Sequence, residues 1–97
     1  MPNLEGREKI LLKYAEPFTT KNIDWKKWAK KTDNFSGAWL RELVTTAFSL
    51  AVQERKPNKS IILNDTNMTK SFSIVFESRH KANTLYSQEE SLETSYY

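Results

Sequence analysis

Residues 34–55 read NFSGAWLRELVTTAFSLAVQER and carry the clearest structural pattern in the chain. Ser36 is a good N-cap, because its hydroxyl can accept a hydrogen bond from a free backbone N–H of the first helical turn. Pro57 and Asn58 then end the helical pattern. The pattern predicts a helix from Ser36 to about Arg55, which we expect to be the longest and most buried of the chain. Apolar side chains recur there at the i, i+3, i+4, i+7 spacing of one helix face: Leu40, Leu43, Val44, Ala47, Leu50 and Ala51.

Two helices are predicted before this one. The first runs from about Leu4 to Ala15 and ends because Pro17 disfavours helical backbone at the residue before it. The second is short and begins after Asp24, a good N-cap. Trp25 and Trp28 fall on one face of the second helix, so we expect them to pack in the core and not to stack on nucleic acid bases.

A fourth helix is predicted after Asn64, another good N-cap, and it reaches about Ser78. Residues 60–63 form a short extended apolar stretch in front of it. Residues 79–97 are polar and lose periodicity, which indicates a disordered tail. The predicted fold is therefore an all-α, small four-helix bundle over residues 1–78, with one short extended segment before the last helix.

The composition excludes several kinds of chemistry. The 97 residues include no cysteine, one histidine (His80) and two glycines (Gly6 and Gly37). A thiolate nucleophile, a Cys-ligated metal site and a Gly-rich phosphate loop are all ruled out, and we expect no metal site and no catalytic residue. No apolar run approaches the ~20 residues of a membrane span, and the N-terminus lacks the apolar region of a signal peptide, so we expect a cytoplasmic location.

The net charge is +3 and is unevenly distributed. Residues 1–60 carry 12 Lys and Arg against 7 Asp and Glu, whereas residues 61–97 carry 3 against 5. The basic part could meet phosphates, but its lysines are interleaved with acidic residues, which is typical of a solvated helical surface.

Four blocks of sequence, in order, resemble the small C-terminal α-helical subdomain, or lid, of AAA-family ATPases. Residues 2–11 look like the entry P-x-x-x-x-R-x-x-I-L, and residues 23–32, IDWKKWAKKT, are similar to V-D-L-x-x-L-A-x-x-T. Residues 34–47 closely follow G-F-S-G-A-D-L-x-x-L-V-x-x-A, and residues 63–72 are a looser match to I-T-x-E-D-F-x-x-A-L. The resemblance extends over residues 2 to about 76.

The chain departs from the family pattern at several positions. Asn34 replaces a glycine, Trp39 replaces an aspartate and Ser71 replaces an alanine. The Walker A and Walker B motifs, sensor 1 and the arginine fingers of the large subdomain are missing. The resemblance therefore implies a lid fragment, not catalytic by itself, of a longer ATP hydrolase.

The resemblance also implies a site and partners. Ile10 and Tyr14 would face the adenine of ATP from the first helix, and Gly37 and Ala38 would form a second wall. Mg²⁺ would be held by the missing large subdomain, and no cofactor is expected on the isolated fragment. The implied partners are that large subdomain and neighbouring subunits of a ring, a hexamer in such motors.

Other interpretations stay open at this point. Residues 36–38 could be only a helix cap, and Ile10 and Tyr14 could be plain core residues. Trp39 could pack internally or meet a neighbouring subunit, and Arg7 suits a structural or intersubunit ion pair better than catalysis. The alternative function is a stand-alone basic helical module that binds nucleic acid or protein, although no helix shows a groove-reading face, so nucleic acid is not expected.

Overall fold

The computed structural model describes the backbone of residues 2–96 and the side chains of residues 2–81. In chain order the elements are α1 (Leu4–Ala15), β1 (Thr19–Lys21), α2 (Trp25–Lys31), α3 (Gly37–Glu54), β2 (Ile62–Asn64) and α4 (Asp65–Tyr96). The predicted all-α class with four helices is confirmed. The short extended segment expected before the last helix is β2, displaced by one or two residues from the predicted stretch.

Side-chain caps determine where the helices begin. The three predicted N-caps, Asp24, Ser36 and Asn64, each accept a hydrogen bond from a backbone N–H three residues on, at 3.2, 3.2 and 2.9 Å. The Oδ1 of Asn67 accepts a hydrogen bond in return from the backbone N–H of Asn64, at 3.0 Å. This reciprocal pair is a capping box built from two asparagines, and it satisfies two donors that a helix start would otherwise leave free.

A two-stranded parallel sheet joins the connector after α1 to the segment before α4. Thr19 lies opposite Ile62, and Lys21 lies opposite Asn64. β1 was not predicted from the sequence. All three β1 residues are exposed, so the strand has no alternation of apolar and polar positions that could predict it.

The core is built on α3. Five of its residues are buried, namely Leu40, Leu43, Val44, Ala47 and Ala51, more than any other helix contributes among the described side chains. The small side chains of Ala47 and Ala51 allow neighbouring elements to approach closely. The buried side chains that pack against α3 include Leu11 from α1, Trp28 from α2, Phe35 from the loop before α3, Leu63 from β2, and Met68 and Val75 from α4.

Helices α3 and α4 run antiparallel. Ser71 Oγ donates to the backbone carbonyl of Leu43 at 2.6 Å in the middle of the pair. Asn67, near the start of α4, donates to Glu54 at the end of α3. Ser71 stands where the resemblance would have alanine, and its buried hydroxyl is satisfied by the Leu43 carbonyl.

Two expectations about the last helix need correction. The helix continues past Ser78 without a break through Arg79, His80 and Lys81, so the predicted end is wrong. α4 is also longer than α3, with 32 residues against 18. The predicted tail, residues 79–97, falls mainly on residues whose side chains are not described, and the boundary between two units at residue 78 stays a prediction.

No helix in the described part of the chain combines the length and the apolar composition that a membrane crossing requires.

Candidate functional site

The N-terminus of α3 carries the most specific part of the sequence pattern. Ser36 has extended backbone, with φ −73° and ψ 166°, and its Oγ accepts from the N–H of Trp39. Its carbonyl accepts from Leu40 at 3.0 Å, which begins the helical ladder. No intrahelical acceptor exists for the N–H groups of Gly37 and Ala38, so this end of α3 presents free donors and the positive end of the helix dipole.

Gly37 is not required by the packing of the chain itself. A Cβ atom at this position would meet no described atom within 4 Å, and the backbone φ of Gly37 is not positive. Neither a tight turn nor an internal contact therefore explains the glycine. Open space lies where its side chain would be, which leaves room for a group from outside the chain to approach the backbone.

Ile10 and Tyr14 lie one helical turn apart on α1. Both are partly buried and pack against the core, beside the buried Leu11 and Ala15. The interpretation of Ile10 and Tyr14 as core residues is therefore correct in part, while each keeps some exposed surface. α1 packs against α3, so the four predicted site residues stand on two helices in contact.

A cavity of about 320 Å³ lies between α3 and α4, and it does not coincide with the predicted site. Of the four predicted site residues, only Ala38 lines it. Trp39 is partly buried and lines this cavity as well, so at least part of its ring packs within the chain. The other lining residues are Arg41, Glu42, Thr46, Ile74, Val75 and Ser78. We take the open space at Gly37, and not this cavity, as the candidate site, because the cavity holds none of the α1 residues.

Arg7 links α1 to α2, to the residues before α1 and to the loop before α3. Its side chain is buried, and Nε donates to the carbonyl of Ala29 at 2.8 Å while Nη1 donates to the carbonyl of Pro2 at 3.0 Å. Nη1 also lies 3.6 Å from a carboxylate oxygen of Asp33, in the loop that leads to α3. These contacts support the structural interpretation of Arg7, because they satisfy a buried guanidinium with two backbone carbonyls and a carboxylate.

The two tryptophans of α2 behave as predicted. Trp28 is fully buried and Trp25 is partly buried against the core. The partner of Trp28 was missed: its Nε1–H donates to Asp65 Oδ1 at 2.8 Å, on the first turn of α4. The sequence offered no signal for this pair, since the two residues are 37 positions apart.

Among the residues with described side chains, no group of three His, Cys, Asp or Glu residues could hold a metal ion. His80 is exposed on α4 and lies outside the candidate site.

Comparison with known proteins gives one informative match. No protein-family model matches the chain. A proteasome-activating nucleotidase from Methanosarcina mazei is 44% identical over 57 residues, which are 58% of this chain. The match supports a relationship to the AAA ATPases. The aligned part spans only 14% of the relative's length, so this chain is similar to a small portion of that protein.

Proposed function

We propose that the chain is the lid subdomain of an AAA-family ATPase. The observation that carries the proposal is the start of α3, where Ser36 caps the helix and Gly37 faces open space beside free backbone N–H groups. The relative supports it, because its name describes a nucleotidase and it is similar over more than half of this chain.

In this proposal the lid closes one side of a nucleotide site. Gly37 and Ala38 form one wall of the adenine pocket, and the exposed edges of Ile10 and Tyr14 form the other. A flat base can approach the backbone of Gly37 closely because no Cβ is in the way. The role of all four residues is binding, so they supply position and exclude water without breaking bonds.

The remaining parts of the enzyme lie outside this chain. The phosphates and Mg²⁺ are held by a large subdomain in the same longer protein, and ATP hydrolysis takes place there. Neighbouring subunits complete a ring, a hexamer, in a cytoplasmic ATP-driven motor. The lid transmits hydrolysis by rotating against the large subdomain.

The test is Gly37→Val in the longer protein that contains these residues. A branched side chain fills the open space at Gly37, so we expect nucleotide affinity to fall about tenfold or more, equivalent to at least about 1.4 kcal/mol. The folded state should be little affected, because the Cβ meets no neighbour and the helix propensities differ by at most ~1 kcal/mol.

A matched control is Thr66→Val, which places the same side chain in the first turn of α4 at an exposed position. Nucleotide titration and thermal unfolding are measured on both variants. If Gly37→Val leaves nucleotide affinity unchanged and lowers the melting temperature, the proposed binding role is contradicted and Gly37 and Ala38 have a purely structural role.

A further inference from the structure

A basic surface lies at the end of α3, on the loop that leads to β2. Its cations are Arg55, Lys56 and Lys59, and all three are exposed. They line a cavity of about 280 Å³ together with Ala51, Glu54, Ser60, Ile62 and Asn64. We call these residues the α3–β2 basic surface.

The three cations are not neutralised within the described part of the chain. None of them forms an ion pair with a described carboxylate. Glu54, the acidic residue of this surface, is engaged elsewhere: its oxygens accept from Lys70 Nζ at 3.0 Å and from Asn67 Nδ2 at 3.1 Å. The positive charge of the surface therefore faces solvent unpaired.

The loop holds two of the cations in place. The backbone N–H of Lys59 donates to the carbonyl of Lys56 at 3.1 Å, which closes a four-residue turn. Pro57 occupies the second position and Asn58, with φ 65°, the third, as a type II turn requires. Lys56 and Lys59 are therefore brought to the same end of the turn before any ligand arrives.

The cavity lined by these cations also has an apolar floor, formed by Ile62 and Ala51. Ile62 is 42% exposed and lines the cavity together with the buried Ala51. No aromatic ring lines this cavity, so the stacking platform used for single-stranded nucleic acid is missing. Positive charge around aliphatic side chains is complementary to a peptide that carries both carboxylates and apolar side chains.

We propose that the α3–β2 basic surface docks an acidic, partly apolar segment of a protein partner. Carboxylates of the segment pair with Lys56, Lys59 and Arg55, while an apolar side chain of the segment lies on Ile62. Alternatively, these cations could have a purely structural role, since positive charges at a helix C-terminus stabilise the helix by interacting with its dipole. That alternative predicts an effect on stability alone.

The test uses the 97-residue chain and a fluorescein-labelled peptide of alternating glutamate and leucine, with fluorescence anisotropy as the readout. We expect the double variant K56E/K59E to weaken binding about tenfold, because two attractive contacts become repulsive. The matched control is K26E/K30E, which makes the same charge change at two exposed positions of α2. The control should keep most of the affinity.

A second variant, Ile62→Ser, tests the apolar floor and should weaken binding severalfold without a change of net charge. Thermal unfolding of each variant verifies that it is folded. Three results would each overturn the proposal: equal weakening in both double variants, no effect of Ile62→Ser, or tighter binding of a single-stranded oligonucleotide than of the peptide.

Discussion

Asp65 joins α4 to α2 through two hydrogen bonds. One carboxylate oxygen accepts from the indole N–H of Trp28 at 2.8 Å, and the other accepts from Lys27 Nζ at 3.2 Å. Because Trp28 is completely buried, its N–H has no access to water and needs a partner within the protein. Asp65 therefore satisfies a core side chain from the first turn of α4.

We expect Asp65→Ala to lower the free energy of unfolding by about 1–3 kcal/mol, since a buried donor loses its acceptor. The measurement is urea denaturation of the 97-residue chain. Glu77→Ala is the control, because it removes an exposed carboxylate from the same helix and should stay within about 0.5 kcal/mol of the parent chain. Equal destabilisation by the two variants would show that the indole hydrogen bond contributes nothing measurable.

At the residue scale, interactions between residues close in sequence could be predicted, and interactions between residues distant in sequence could not. Ser36 and Asn64 were recognised as caps because capping depends on residue type and the next three positions. The burial of Trp28 followed from helical spacing. Its acceptor, Asp65, could not be predicted, because the fold and not the sequence spacing brings the two together. The open space at Gly37 likewise depends on what surrounds the helix end in three dimensions.

At the element scale, Glu54 joins the end of α3 to the start of α4. The hydrogen bond from Lys70 is the main cause that holds the pKa of the Glu54 carboxyl below its ordinary value of 4.5, and the hydrogen bond from Asn67 acts in the same direction. The ionised form is favoured by folding. Its contribution to stability is therefore present above about pH 4.5 and is lost as the pH falls through the lower pKa of the folded state.

We expect Glu54→Gln to be less stable than the parent chain at neutral pH and the difference to shrink as the pH falls below about 4.5. The measurement is the difference in unfolding free energy between the two proteins across this pH range. Glu77→Gln, with no comparable partner among the described residues, should show little difference at any pH. A difference for Glu54→Gln that stays constant down to low pH would contradict this assignment.

The elements differ in how much of them the sequence could predict. α1 was predicted with its observed bounds, Leu4–Ala15, because a proline follows it closely. The expected restriction on the residue before Pro17 is not seen, since Glu16 keeps helical angles, with φ −51° and ψ −44°. Pro17 ends the helix because it has no backbone N–H to continue the hydrogen-bond ladder. α3 was predicted because its apolar stripe is unbroken. β1 was missed because it is three exposed residues long, and its pairing with β2 joins segments 43 positions apart in register. The end of α4 was misplaced because the apolar periodicity is lost beyond Arg79, whereas the backbone stays helical through Arg79, His80 and Lys81.

For the whole molecule, we expect the isolated 97-residue chain to show no ATP hydrolysis. Positioning of the phosphates and Mg²⁺ accounts for most of the catalysis in phosphoryl transfer, and the proposed lid supplies contacts only to the base. The measurement is phosphate release by the purified chain in the presence of Mg²⁺ and ATP. Turnover that follows the chain through purification to homogeneity would contradict the proposed division of roles.

The fold and the function of the whole molecule were predicted from different features of the sequence. Helical periodicity was sufficient for a small four-helix bundle, which the structure confirms. The function required the order of the four sequence blocks, with the block at residues 34–47 as the specific one. The structure adds the capped start of α3 and the free space at Gly37, and the relative adds a relationship to AAA ATPases. A Walker A motif upstream of these residues in the same gene is the feature that the proposal requires.

The central claim is that this chain lines the adenine side of an ATP site. It is tested most directly by photolabelling the longer protein with 8-azido-ATP, whose reactive group sits on the base, followed by mass spectrometry of the labelled peptides. We predict that label falls on peptides containing Ile10, Tyr14, Gly37 or Ala38 and that excess ATP prevents it. Label that ATP prevents but that lies entirely outside these peptides would contradict the account.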